Sequence, residues 1–263
     1  MCRLFGLYAN KAVDVQFSFY EAKESIEKLS LGNPDGWGIA WYDRGEWHLY
    51  KEPGPLYESY KAKGLIQNVR GIIIVSHVRL ASSWKFVRRL ENTHPWLYKG
   101  YVFAHNGTID RNGILELLSP EYLNLEGDTD SEAFFHLIVQ EAVSSNDFVN
   151  GIKRAITKLN NKNVSYSSLN FVASDGKRLY ALRYAKIGLG YYTLYYLRRP
   201  REGLRLESFS KRTAQLIRMK LASGEKTIII SSEKLTEEPW DIIPNRHMLI
   251  VDGNLNTELI EIS

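Results

Sequence analysis

Short apolar runs separated by compact turns dominate this sequence, and they restrict what it can fold into. Candidate strands lie at residues 3–8, 36–42, 46–51, 71–78, 101–105, 168–174, 178–184, 190–197, 226–231, 247–251 and 255–260. Asp43-Arg44-Gly45, Asp175-Gly176 and Asp252-Gly253-Asn254 stand between neighbouring runs as tight reversal signals. A parallel pair needs a crossover of about a dozen residues or more, and these gaps are too short for one. The spacing therefore predicts antiparallel hairpins.

Helical periods interrupt the strands. Over residues 18–30, Phe19, Ala22, Ile26 and Leu29 share one face. A helix over 130–144 follows Thr129, which pairs with Glu132 as a capping box. Another over 147–160 carries Phe148, Ile152, Ala155, Ile156 and Leu159 at helical spacing. The last two are consecutive and should share a layer. With no internal repeat or linker, the expectation is one mixed domain over residues 2–263 with helices outside antiparallel sheets.

Composition narrows the class. Apolar residues make up 44% of the 263 residues and charged residues 24%, enough for a sizeable core in a soluble protein. One cysteine rules out an internal disulfide. The opening MCRLFGLYAN lacks a signal peptide's apolar stretch, and the apolar run near 71–75 is far short of a membrane span. A cytoplasmic protein without a membrane partner is expected. The net charge of +4 is mild. Arg198, Arg199, Arg201 and Arg205 lie beside four tyrosines, but GYYTLYYLRR reads as a strand and RRPREG as a basic hairpin loop. No nucleic-acid motif accompanies them, so nucleic acid is not expected as a partner.

The single cysteine, Cys2, stands directly behind the initiator methionine. Removal of Met1 would leave a thiol and a free α-amine on one residue. The amine, with a reference pKa of about 7.7–8, can serve as base to the thiol without a histidine. The competing reading is an ordinary half-buried cysteine opening the first strand.

Polar residues then interrupt strand ends. A thiol that cleaves a carboxamide needs donors for the oxyanion, and Asn106 with Gly107 can supply a side-chain and a backbone N–H. An amino-acid substrate needs a planar double donor for its α-carboxylate and an acid for its ammonium; Arg79 and Asp130 offer these. Each also has an ordinary structural role: a surface ion pair, a turn, or a favourable charge at a helix start.

Taken together, MCRLFG, NPDGWGIAWY, SHVRLAS, NTHPW, FAHNGTI and GDTDSE, in that order, resemble the class II glutamine amidotransferases, N-terminal-nucleophile hydrolases. The motif match covers the first half of the chain and is closest to stand-alone glutaminase-type members. The resemblance implies an α+β fold, a four-layer αββα sandwich of two antiparallel sheets. It implies Cys2 as nucleophile, Asn106 and Gly107 as the oxyanion pair, Arg79 on the substrate carboxylate and Asp130 on its amine. Ser82 falls where many members place a substrate-touching hydroxyl, and His94 falls in the Asn-x-His-Pro segment as a pocket-wall residue. Leu80 replaces an aromatic residue of synthase-fused members, and Ser83-Trp84 replaces His-Gly, so the pocket lip and the substrate are open to variation.

The expected activity is hydrolysis of the glutamine side-chain amide, without cofactor or metal. Expected partners are glutamine or a γ-glutamyl small molecule, with an ammonia-accepting synthase and a second copy of the chain as further candidates. Two alternatives stand beside it: a hydrolase of another γ-glutamyl amide, of the ergothioneine-pathway type, and a silent glutaminase-like partner subunit. His77, His94 and His105 match no short metal motif, and no phosphate-binding glycine loop is present.

Overall fold

The computed structural model describes residues 2–81, 87–201, 203 and 205–262. Its strands are β1 (Arg3–Val13), β2 (Trp37–Asp43), β3 (Glu46–Glu52), β4 (Gly71–Val78), β5 (Trp96–Tyr98), β6 (Tyr101–Asn106), β7 (Asn170–Ser174), β8 (Leu179–Arg183), β9 (Tyr195–Arg199), β10 (Thr227–Ser231), β11 (Asp241–Ile242), β12 (His247–Val251) and β13 (Thr257–Glu261). They form two sheets, ordered β11-β9-β10-β1-β4-β2-β3 and β13-β12-β8-β7-β6-β5. Every neighbouring pair is antiparallel, as the turn spacing predicts. The β2–β3 reversal runs through Arg44 and Gly45, both at positive φ, the backbone twist that tight hairpins require.

The helices are α1 (Ile26–Ser30), α2 (Ala62–Asn68), α3 (Arg111–Leu115), α4 (Asp130–Ser145), α5 (Phe148–Asn161) and α6 (Lys211–Ser223). Side chains alternating along β1 separate the layers. Leu4 and Tyr8 point inward, meeting Val172, Leu179 and Leu249 of the second sheet. Phe5 and Leu7 point outward, joining Phe19, Ile26 and Ile66 on the first sheet's outer side. On the far side, α4 and α5 bury Phe134, Ile138, Ile152 and Ile156 against Phe103 and Phe171. The result is the expected αββα sandwich. At about 25 cal/mol per Å² of apolar surface, these three clusters dominate its stabilisation.

The expected helix over 18–30 is divided. Residues Phe17–Glu21 make a π-helical turn, Ala22 leaves it in an extended conformation, and α1 restarts with the Ser25 hydroxyl accepting from Lys28 N–H. Tertiary contact causes the break: Glu24 N–H donates to Leu235 O across the fold, at 3.1 Å. The basic segment also differs from a free hairpin loop. Arg199 is buried on the Glu238 carboxylate, and Arg198 donates to Leu255 O, so both cations serve the fold.

Candidate functional site

The strand registers bring the site together. Arg3 pairs with Val78 across β1 and β4, which sets Cys2 beside the residues that follow β4. Leu80 N–H donates to Cys2 Sγ at 3.3 Å, and the thiol donates to Leu80 O at 3.4 Å. From the second sheet, β6 ends at Asn106, and Gly107 follows it directly. A cross-sheet bond joins the two strand ends: His77 Nε2 donates to His105 O at 3.1 Å.

A cavity of about 230 Å³ opens there, with Cys2, Arg79, His94, Gly107 and Asp130 on its wall. Asn106 is 2% exposed, and its Nδ2 has no hydrogen-bond partner among the described residues. A buried amide donor left unpaired is costly, and such groups concentrate where a ligand completes them. Gly107 is sterically required, since a Cβ there would lie 1.9 Å from Ser168 O.

The NPDGWG segment fixes Arg79. Asp35 N–H donates to Arg79 O at 3.0 Å, and Arg79 N–H donates to Gly36 O at 2.8 Å. The Asp35 carboxylate accepts from Ala81 N–H at 2.8 Å, which pins the next turn of chain. Burial pulls the Arg79 guanidinium below its ordinary pKa, opposed by Cys2, Asp35 and Asp130. A guanidinium starts so high that it stays charged regardless. Asp130 opens α4 and accepts from Ile109 N–H at 2.6 Å through Oδ2. The Thr129 hydroxyl accepts from Glu132 N–H, which is half of the expected capping box. The other half is diverted, because the Glu132 carboxylate accepts from Glu126 and Gly127 N–H at 2.6 and 2.8 Å and so holds the loop in front of Asp130.

Electrostatics keep the histidines neutral. Burial, then Arg79, depresses His77 to about 3. His94 is held well below its ordinary range by burial and by His77. Its ring stacks on His77 at 4.0 Å between centroids and meets Trp96 edge-on at 4.1 Å. His105 is lowered by burial, and its Nδ1 accepts from the Ser131 hydroxyl at 2.8 Å. Burial pushes the Cys2 thiol up, and the Leu80 N–H and the Arg79 charge pull it partly back. Among the described residues, no group of three or more His, Cys, Asp or Glu is arranged to hold a metal ion.

The structure thus gathers Cys2, Arg79, His94, Gly107 and Asp130 on one cavity, with Asn106 adjoining. Ser82 lies outside the described residues. Asp35 and Asn92, which accepts from Asp128 N–H at 2.9 Å, support the site without having been singled out from the sequence, and Glu132, read there only as a helix cap, supports it through the loop it holds. For Asp35 and Asn92 the only sequence signal was their place inside polar segments next to apolar strands.

Two antiparallel sheets face to face between helical layers, with a thiol at the mouth of the first strand, make this an N-terminal nucleophile hydrolase fold. The family described as glutamine amidotransferases class-II matches residues 1–261. An uncharacterized protein of Methanocaldococcus jannaschii is 30% identical over 264 residues, covering 95% of this chain and 69% of that one. YafJ of Escherichia coli, whose name assigns it as a glutamine amidotransferase, is 29% identical over 205 residues, or 73% of this chain and 76% of its own. A glutamine aminotransferase class-II domain protein from Silicibacter pomeroyi superposes with a TM-score of 0.68 at 21% identity, covering 100% of both chains. The chain belongs to the class II glutamine amidotransferases, a family of enzymes.

Proposed function

We propose that the protein hydrolyses the side-chain amide of a γ-glutamyl group, with glutamine as the simplest substrate. The observation that carries this reading is the cavity itself, where a thiol, a buried arginine, an acid and a Cβ-intolerant glycine converge beside an unpaired amide donor. Arg79 receives the α-carboxylate, Asp130 the α-ammonium, and His94 stands on the wall beside them; the family resemblance adds the Ser82 hydroxyl as a substrate contact.

Cys2 Sγ attacks the amide carbon. Because the resting thiol holds its proton, attack requires a base at that moment, and the Cys2 α-amine, freed by loss of Met1, takes the proton. Asn106 Nδ2 and Gly107 N–H donate to the oxyanion; one such donor typically lowers the barrier by ~2.7–4 kcal/mol. The C–N bond breaks as the α-ammonium returns the proton to the leaving nitrogen, giving ammonia and a γ-glutamyl thioester. Water then attacks the thioester, Cys2 recovers its proton, and glutamate leaves. The released ammonia is available to an acceptor enzyme, the partner that the resemblance implies.

The deciding experiment is Cys2→Ala. Glutamate release should fall by about a thousandfold or more while the circular-dichroism spectrum is kept, since a nucleophile has no substitute here. Retained turnover would overturn the mechanism. Intact-mass analysis with a glutamine-like electrophile should find Met1 absent and the label on Cys2.

A further inference from the structure

We infer that Arg111 receives an anionic group on the substrate's leaving amine, so that the preferred substrate is a γ-glutamyl amide of an amino acid rather than plain glutamine. This rests on the amidase reading above. Among the described residues, four charged side chains line the cavity: Arg79, Arg111, Asp128 and Asp130. Asp128 is already engaged by Arg89, at 2.7 Å. A bound glutamyl zwitterion neutralises Arg79 with its carboxylate and Asp130 with its ammonium. Among the described residues, Arg111 is left as a cation with nothing opposite it.

The fold does not use that cation. Arg111 makes no hydrogen bond or ion pair among the described residues, and its Nε is buried without an acceptor. It also stands in the first turn of α3, the end of a helix where positive charge is unfavourable. A half-buried guanidinium kept under these conditions fits an anion that arrives with the substrate. The position of that anion follows from valence. With the α-carboxylate and α-ammonium both held, the amide nitrogen is the only attachment point left on the glutamyl group. An amino acid is the smallest amine that carries an anion, which suits a cavity of about 230 Å³.

Two amides that differ only in this charge provide the test: γ-glutamylglycine and γ-glutamylethylamide. Titrated into the Cys2→Ala protein, which cannot consume them, the glycine amide should bind at least about tenfold tighter, the scale of one charge-assisted hydrogen bond. Adding Arg111→Gln should bring the ratio close to one, and Arg111→Lys should restore part of it. Melting curves confirm that both variants fold. A ratio near one with Arg111 intact, a preference that survives Arg111→Gln, or binding of neither amide would each overturn the inference. The two readings separate cleanly. If the ratio holds but protein with Cys2 intact releases no glutamate from either amide, the amidase reading fails and the role of Arg111 stands.

Discussion

The backbone of Leu80 grips the sulfur of Cys2 from both sides, its N–H donating to Sγ at 3.3 Å and its carbonyl accepting from the thiol at 3.4 Å. The grip orients the thiol, but burial outweighs it and raises the pKa. A raised thiol pKa means less thiolate at neutral pH than in a free cysteine. Alkylation of Cys2 by iodoacetamide should therefore be slow at pH 7 and climb by about tenfold per pH unit toward pH 9. Intact-mass time courses measure this, and a rate already flat across that range contradicts it.

Two backbone hydrogen bonds, with Asp35 and Gly36, fix the Arg79 main chain, and its Nη1 donates to Asp35 O at 3.4 Å on the cavity wall. Lysine keeps the charge and loses the fork. Arg79→Lys should raise KM for glutamine by about tenfold, with a smaller change in kcat. Steady-state kinetics decide the matter; an unchanged KM removes Arg79 from substrate binding.

Gly107 sits against the backbone of Ser168, where an added Cβ would lie 1.9 Å from the carbonyl oxygen and 2.9 Å from His105 Nε2. Backbone cannot yield as a flexible side chain does. Gly107→Ala should destabilise the fold by about 3 kcal/mol and lower the melting temperature by roughly 6–12 °C. Calorimetry tests this, and a melting temperature within a degree of the parent refutes it.

The buried histidines make stability depend on pH. His77, depressed to about 3, and His94, held well below its ordinary range, bind fewer protons folded than unfolded. The unfolded chain gains protons as pH falls through about 6.5, so stability is full above that pH and declines below it. Between pH 6.5 and 5.5 each of the two should cost ~1 kcal/mol, or ~2 kcal/mol together. Urea unfolding at the two pH values would show the midpoint moving down, and no movement would mean that these rings take up protons in the folded protein.

Local signals carried the architecture well where they acted alone. The hairpin turns, the Thr129 cap and the periodicity of α4 and α5 are all present near their expected places. Where two parts of the chain compete for one backbone group, local reading fails. The helical face at 18–30 is genuine, yet the bond from Glu24 N–H to Leu235 O draws the chain out of a continuous helix. Helix α6, absent from the sequence expectation, carries its own local signals: the Ser210 hydroxyl accepts from Thr213 N–H at its start, and Gly224 closes it at positive φ.

The site divides in the same way. Residue types and motif order in the sequence by itself determined the candidates Cys2, Arg79, Asn106, Gly107 and Asp130 and the family that unites them. Only the tertiary structure decided that Cys2, Arg79, His94, Gly107 and Asp130 meet on one cavity, and that, among the described residues, Asn106 beside it is left with an unpaired donor and Arg111 with an unopposed charge. Pairing, burial and leftover charge are properties of what surrounds a group. Those surroundings come from both sheets, from strands far apart in the chain, and no local pattern contains them.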